Sequence, residues 1–588
     1  MTAPPTVVEH GDESGPGLES LDEESSVGGR PTVVDFDDSD PHSARIDPAS
    51  DVVAIGEIPP LTAPIRPERR KLPPMPSDRL RGWITTIVLT IIGGLTRIWN
   101  VGSATDGGTP LFDEKYYAVQ AAEVIRNNGV EDNQAYGVVV HPPLGKQLIA
   151  LGEKLVGYNP TGWRLASVVA GTVVVFLTIR VVRRMTRSTL LGAIGGILII
   201  CDGVSFVMSR MALLDVFQEV FILAAFACLI ADRDQTRARL NSHVHDTFLP
   251  PEPGTGPFRA WRRWGDVAGP ALGARWWRFG CGFFMGLTFA IKYNGVYWIV
   301  AFGLLSVFWD ITARRELGVR RPVIGALRRD VLPSIWSLVV VPFGIYIASW
   351  WAWFFSENAY PRHAFMADPS HVGDWANPTG LFHKLASLWH NALWQWTWKM
   401  LDFHANLLTP SNPADRHPWE SKPWSWPIGT RPVLYYAPPA GQTGCGAGRT
   451  DCVERIFIIG TPALWWLSLF VLVWALWRTF TRFDWRYAAV LVAYGADYLP
   501  WFTNLNRQMY FFYVTPLAPF LIIGICLVLG DILGRRHVGI ERRYLSYAIV
   551  ALYVGLVVAN FIWLLPMLDG SPMTPERLTA ETWLPSWG

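Results

Sequence analysis

The chain has 588 residues, of which 50% are hydrophobic and 17% are charged, and it contains 30 tryptophans. This composition excludes an ordinary soluble domain, because the apolar residues occur in blocks longer than a soluble core uses. The formal net charge of +2 excludes binding to nucleic acid through a strongly basic surface. We therefore expect a polytopic membrane protein.

The N-terminal residues 1–77 are rich in Pro, Gly, Ser, Asp and Glu and poor in aromatic residues. Such a segment buries too little apolar surface to offset the entropy of ordering, so we predict a disordered tail. Basic residues between Arg66 and Arg81 precede the first apolar window, which starts near Trp83 and not close to Met1 as in a cleaved signal peptide. The positive-inside rule then predicts a cytoplasmic tail.

Windows long enough to cross a hydrocarbon layer of ~30 Å predict about eleven transmembrane helices, within a membrane domain of residues 78–568. They begin near Trp83, Trp163, Thr189, Leu213, Trp277, Gly295, Val331, Ile456, Trp485, Met509 and Tyr544. Arginine-rich connections recur on the side of the tail, as the positive-inside rule requires. The fold class predicted is an all-α polytopic protein with two long extracytoplasmic loops, residues 101–162 and 354–455, and an extracytoplasmic C-terminal tail, residues 569–588.

The first long loop contains adjacent carboxylates, Asp113 and Glu114, on an amphipathic stretch where partial burial would raise a carboxyl pKa toward the range of a general base. Further along, the prolines after His141 fix an extended elbow before Lys146. These residues have two interpretations. They are either ordinary loop charges around a structural turn, or a transferase site that deprotonates a hydroxyl and holds a phosphate.

Cations also occur at the outer ends of the predicted spans, where the positive-inside rule makes them uncommon. They are Arg164, Arg210, Lys292 and Arg507. Snorkelling to the interface is one explanation, and binding of an anionic lipid headgroup is the other.

In the second long loop, residues 417–427 contain Trp419, Trp424 and Trp426, which are either interfacial belt residues or a surface that stacks on sugar or lipid. Cys445 and Cys452 flank a glycine-rich turn and predict a disulfide, the alternative being two free thiols. The histidines lack the ligand spacing of a zinc site, so we predict no zinc centre and assign no residue as a metal ligand. The absence of repeats and of mid-membrane charges favours an enzyme over a carrier.

At these residues the chain resembles the protein O-mannosyltransferase family of the C-type glycosyltransferase superfamily, in its actinobacterial form. The resemblance depends most on Phe112-Asp-Glu114 followed by His141-Pro-Pro-Leu-Gly-Lys146. Weaker matches run through most of the membrane portion: Trp163-Arg164, Leu213-Leu-Asp215, Ser421-Lys-Pro-Trp-Ser-Trp-Pro427, and Tyr498-Leu-Pro-Trp501 with Arg507. The chain departs from fungal and animal members in lacking their inserted β-trefoil repeats.

The resemblance implies an inverting transfer of mannose from a polyprenyl-phosphate carrier to Ser or Thr hydroxyls of secreted proteins emerging from the Sec translocon, at the outer face of the plasma membrane. The carried-over roles are these: Asp113 as base; Glu114 as a group that orients the acceptor or neighbouring loop groups; Lys146, Arg164 and Arg507 as phosphate ligands; and His141, Trp424 and Trp426 as residues that shape the site. No cofactor is required, although Mg²⁺ or Mn²⁺ bridging carboxylate and phosphate is chemically compatible.

Two other functions stay open from the sequence. One is a transferase of the same superfamily that moves a sugar from a polyprenyl carrier onto a lipid or cell-wall glycan. The other is a flippase or transporter of a lipid-linked sugar that forms no bond.

Overall fold

The computed structural model describes residues 74–131, 140–247, 268–317, 319, 321–357, 359, 380–389, 391–439, 451–534 and 539–587. Most of the predicted tail 1–77 therefore lies outside the described residues. The described part belongs to one compact unit, Pro67–Gly588.

The described residues are mostly helical. In the first half of the chain the helices are α1 (Arg79–Ile98), α2 (Glu114–Arg126), α3 (Leu144–Val156), α4 (Pro160–Thr186), α5 (Thr189–Ile200), α6 (Gly203–Met208), α7 (Asp215–Thr247), α8 (Trp276–Phe289) and α9 (Gly295–Glu316). In the second half they are α10 (Pro322–Ser349), α11 (Trp351–Phe355), α12 (Gly380–Ala386), α13 (Ala392–Asn406), α14 (Pro462–Arg482), α15 (Trp485–Tyr498), α16 (Phe511–Leu533), α17 (Ile540–Asp569) and α18 (Pro575–Glu581).

Six of the described helices are long and apolar enough to cross a membrane: α4, α9, α10, α14, α16 and α17. The apolar helix α5 is shorter. A helix begins near most of the other predicted windows as well. These helices are not both long enough and apolar enough to be counted as spans. The count of eleven therefore stays a prediction.

The window predicted near Ile456 differs from the structure. Ile456–Ile458 forms strand β2, which pairs antiparallel with β1 (Val433–Tyr436), and the helix begins only at Pro462. Gly460 breaks the apolar run and a proline is favoured in the first turn of a helix, which explains the later start. The described residues are mostly helical, as predicted, but they include a two-stranded sheet whose first strand lies in the predicted second long loop and whose second strand begins directly after residue 455.

Close helix packing fixes the region around the first long loop. The start of α4 is set by Asn159, whose side chain accepts a hydrogen bond from the Gly162 amide at 2.9 Å. A Cβ atom added at Gly152 of α3 would lie 2.4 Å from the Gly162 carbonyl oxygen. Only glycine allows this approach, so α3, which follows the His141 elbow, is held directly against the beginning of α4.

Five turns meet on one side of the helical bundle. They are the segment before α2, the elbow before α3, the turn between α6 and α7, the turn between α8 and α9, and the connection from α15 to α16. A hydrogen bond from the Leu144 amide to the Ala290 carbonyl (3.3 Å) joins two of them. Asp113, Glu114, His141, Lys292 and Arg507 lie in or beside these turns.

Candidate functional site

The turn that carries the adjacent carboxylates has an unusual backbone. Phe112 has φ = 45°, a left-handed conformation that is uncommon for a bulky residue and costs about 1–3 kcal/mol. Packing of its ring against Tyr435 (4.7 Å between centroids) and Phe512 (6.0 Å) holds it there. The two carboxylates that follow have different surroundings.

Glu114 is fully buried in a closed set of hydrogen bonds. Its carboxylate accepts hydrogen bonds from Nε and Nη2 of Arg164, each at 2.7 Å, and from the backbone amides of Leu111 (3.1 Å) and Ala212 (2.7 Å). The remaining Arg164 nitrogen, Nη1, donates to the Val101 carbonyl at 2.8 Å. Glu114 therefore ties α4 and the turn before α7 to the first loop, and the predicted phosphate ligand Arg164 is occupied by this ion pair.

Asp113 is half-buried and stands at the N-cap position of α2, yet its side chain makes no capping hydrogen bond. An N-cap aspartate ordinarily accepts from the first turn of its helix, so this carboxylate is left available. Burial raises the pKa of Asp113 to about 6, with the charge of Lys292 opposing the rise and that of Asp215 adding to it. A carboxylate that titrates in this range is suited to act as a general base near neutral pH.

Lys292 is the cation whose charge opposes the rise in the pKa of Asp113. Its Nζ donates to both carboxylate oxygens of Asp215 at 2.8 Å and lies 5.9 Å from the ring centroids of Phe512 and Tyr513. The sequence had marked Lys292 as an outer-end cation without assigning it to the phosphate. Its position at the outer end of a predicted span was the available signal.

An amide network lies next to this ion pair. Gln218 donates to the side-chain oxygen of Asn294 at 2.6 Å, and Asn294 donates to Asp497 at 3.3 Å. These side chains link α7, the start of α9 and α15. Sequence reasoning missed them because none stands out from its neighbours before the helices are packed together.

His141 lies beside a histidine that the sequence did not assign to the site. Its ring stacks on that of His404, with centroids 4.9 Å apart and planes at 26°, and is 6.1 Å from the ring of Tyr117. Burial lowers the pKa of His404 to about 4 and lowers that of His141 well below its usual value. Both imidazoles are therefore uncharged near neutral pH.

Arg507 joins the site from the connection between α15 and α16. Its Nε donates to the His404 carbonyl at 2.8 Å, and its guanidinium carbon lies 5.1 Å from the Trp501 ring centroid and 5.6 Å from that of Tyr513. The Lys422 ammonium donates a hydrogen bond to the Arg507 carbonyl at 2.8 Å. Because the guanidinium is only partly buried, it can still accept an anion.

The other predicted phosphate ligand, Lys146, is buried in an ion pair with Glu131. Lys146 is 1% exposed, so its ammonium is enclosed with the Glu131 carboxylate and is not open to a phosphate. The residues that follow, 132–139, lie outside the described part of the chain.

The two tryptophans predicted to shape the site differ in exposure. Trp424 is exposed, whereas Trp426 is buried, donates to the Ser421 hydroxyl at 2.9 Å and packs on Trp501 at 5.8 Å. Trp426 thus supports the segment that carries Arg507. Cys452 is disulfide-bonded, and Cys445, its predicted partner, lies outside the described residues.

Within the part of the chain that the structure describes, no group of three or more His, Cys, Asp or Glu side chains is arranged to hold a metal ion. The compatibility of the site with Mg²⁺ or Mn²⁺ stays a prediction. What the geometry brings together is a carboxylate available as a base, two cations and two neutral imidazoles. A base beside fixed positive charge suits group transfer from a phosphate-linked donor.

Comparison with known proteins identifies two matching regions. Residues 87–244 match the family described as dolichyl-phosphate-mannose-protein mannosyltransferase, and residues 389–587 match the C-terminal four-transmembrane region of protein-O-mannosyltransferase. The chain is 50% identical over 512 residues to a polyprenol-phosphate-mannose–protein mannosyltransferase of Mycobacterium tuberculosis, covering 87% of this chain and 93% of the relative. It is 41% identical over 513 residues to the protein of that name from Corynebacterium glutamicum, covering 86% and 93%.

Among solved structures, the chain is similar to one from the Saccharomyces cerevisiae protein O-mannosyltransferase Pmt1-Pmt2 complex bound to the sugar donor. The TM-score is 0.62 at 14% identity, and the match covers 86% of this chain and 93% of that one. At this identity the likeness shows a shared fold.

Proposed function

Since the chain belongs to the protein O-mannosyltransferase family, and is thus a membrane-embedded mannosyltransferase, we propose that it moves mannose from polyprenyl-phosphate mannose to Ser and Thr hydroxyls of secreted proteins. The reaction takes place at the outer face of the plasma membrane. Its support is that Arg164 stands at the start of α4 and Lys292 just before α9, whereas the arginine pairs Arg183–Arg184 and Arg314–Arg315 stand in the last turns of the same helices, so the site lies on the side away from these pairs. Acceptors reach that side as they leave the Sec translocon.

The proposed chemistry is a single inverting displacement. The Asp113 carboxylate takes the proton of the acceptor hydroxyl while the hydroxyl oxygen forms a bond to the anomeric carbon of mannose. The bond from that carbon to the phosphate oxygen breaks, and polyprenyl phosphate leaves with the electron pair. Asp113 then releases its proton to solvent, which returns the site to its starting state.

The observation that carries this proposal is the state of Asp113. It is half-buried, uses none of its hydrogen-bonding capacity to cap α2, and has its pKa raised to about 6. A carboxylate with these properties beside a lysine is the arrangement that a general base next to a phosphate requires.

We assign the stabilisation of the departing phosphate to Lys292 and Arg507. The positive charge of Lys292 lowers the pKa of Asp113, and the charges of Lys292 and Arg507 lower the pKa values of His141 and His404. The two cations therefore share the site with the base. Lys292 is itself paired with Asp215, but its side chain is 12% exposed, whereas those of Arg164 and Lys146, which are paired with Glu114 and Glu131, are 2% and 1% exposed. Glu114 acts by fixing the loop backbone on which Asp113 stands.

The function is tested with the full chain reconstituted in lipid nanodiscs. The substrates are polyprenyl-phosphate mannose labelled in the sugar and a Ser/Thr-rich secreted peptide, and the matched control is the same peptide with Ala at every Ser and Thr. Label in the first peptide and none in the second is the expected result. Label recovered in lipid or glycan would contradict protein O-mannosylation, and movement of the donor across the bilayer without a new bond would contradict an enzyme.

A further inference from the structure

The paired histidines have no role in the displacement itself. His404 Nε2 lies 2.9 Å from the Val140 carbonyl oxygen, which can only accept, so Nε2 carries the proton of the neutral ring. The carbonyl belongs to the residue before His141, and the two rings stack. His404 therefore fixes both the backbone and the ring plane of His141.

His141 has a buried polar atom with no described partner. Its Nδ1 is shielded from solvent and makes no hydrogen bond to any residue that the structure describes. A buried nitrogen without a partner costs about 1–3 kcal/mol, so such an atom in a rigidly held ring points to a ligand that completes it.

The position of the ring indicates which ligand. Asp113 and Tyr117 are four residues apart at the start of α2, which places them on one face of the helix. The Tyr117 ring is in turn 6.1 Å from the His141 ring. His141 thus lies on the same side as the base, separated from it by one aromatic side chain.

The chemistry of the ring fits a sugar hydroxyl. Burial, together with the nearby His404, Lys292, Lys146 and Arg507, lowers the pKa of His141 well below its usual value, so the ring is neutral. A neutral imidazole pairs with a hydroxyl group as donor or acceptor. The cations are then left for the phosphate.

We propose that His141, held in place by His404, hydrogen-bonds a hydroxyl group of the mannose carried by the donor. The inference rests on the proposed function, because it names the part of that substrate which His141 binds. His141 is a binding residue for the sugar, and His404 is a positioning residue that acts through it.

The test uses the full chain in nanodiscs with polyprenyl-phosphate mannose and its 2-, 3-, 4- and 6-deoxy analogues. For the wild-type chain, removal of the contacted hydroxyl lowers kcat/KM by about three- to tenfold relative to mannose. In His141→Ala, kcat/KM for the mannosyl donor falls by a similar factor. The kcat/KM for the same deoxy analogue is then equal to that for the mannosyl donor. That loss of discrimination is a coupling that a purely structural role would not produce.

Three further variants complete the design. His141→Asn, whose amide occupies the place of Nδ1, retains discrimination, and His404→Phe, which keeps the stacked ring and removes the bond to Val140, reduces it. The control His383→Ala changes an exposed residue of α12 and discriminates as the wild type does. If His141→Ala does not fold, His404→Phe decides by the same comparison.

Unchanged discrimination in both His141→Ala and His404→Phe at every deoxy position overturns the inference while mannose transfer by the wild type persists. Failure of the wild type to transfer mannose at all is the separate result that overturns the proposed function.

Discussion

Replacing Glu114 by Gln removes the charge from a carboxylate that accepts four hydrogen bonds. The side chains of Glu114 and Arg164 are 0% and 2% exposed, so solvent does not screen the loss as it would at the surface. Arg164 is left as a buried cation without a counter-charge, which typically destabilises a fold by about 3–5 kcal/mol. We therefore expect Glu114→Gln to lose stability first and activity as a consequence.

The assay is denaturant unfolding of the chain in detergent micelles, followed by tryptophan fluorescence, for Glu114→Gln, Arg164→Met and the double variant. The double variant removes both charges, so its loss should be close to that of either single change and not their sum. The coupling free energy expected from such a cycle is about 2 kcal/mol or more. Single variants within about 0.5 kcal/mol of the wild type, or losses that add, would refute the structural role of this pair.

The remaining predictions concern the chemistry. Because Asp113 must be ionised to accept a proton and its pKa is raised to about 6, kcat/KM should rise with pH through this value, and at pH 5 it should be about one-tenth of the plateau; a profile that is flat from pH 5 to pH 8 would contradict the assignment. Lys292→Met should lower kcat/KM by about 10²–10³-fold through loss of charge stabilisation, whereas Lys154→Ala, which changes an exposed lysine of α3, should leave it unchanged; equal rates for the two variants would remove Lys292 from the site.

Helix positions were predictable where the sequence carries start signals. Asn159 and Ser188 stand before apolar stretches and accept hydrogen bonds from the first turns of α4 and α5. The window at Ile456 was misread because periodicity does not distinguish a short apolar strand from the beginning of a helix. Its pairing with Val433–Tyr436 joins residues 20 to 25 positions apart in the chain, which no local pattern reveals.

The sequence named candidate site residues but did not reveal how their charges pair. Asp113 was selected for its loop and its neighbours, and the structure shows it half-buried at the N-cap position of α2 without a capping hydrogen bond. Arg164 was read as a phosphate ligand because an outer-end arginine needs an anion, and the anion that it contacts is Glu114, fifty residues earlier in the chain. Lys146 was likewise interpreted as a phosphate ligand, and the anion that it contacts is Glu131. Nothing in the sequence around Glu131 indicated this pairing.

The contribution of His404 was not predictable for the same reason. In the sequence it is one of several histidines without ligand spacing. Its importance comes from stacking on His141 and from the hydrogen bond between its carbonyl and Arg507. Both contacts exist only after α13 packs against the elbow and the connection from α15 to α16.

The measurement that tests the account most directly is transfer of labelled mannose by Asp113→Asn, with Asp106→Asn as the control for an exposed aspartate earlier in the same loop. The amide keeps the shape of the side chain and cannot take the hydroxyl proton. We expect the rate to fall by about 10²–10⁴-fold, with the unfolding midpoint unchanged and the control as active as the wild type. Transfer by Asp113→Asn at the wild-type rate would contradict the central claim that this carboxylate is the base.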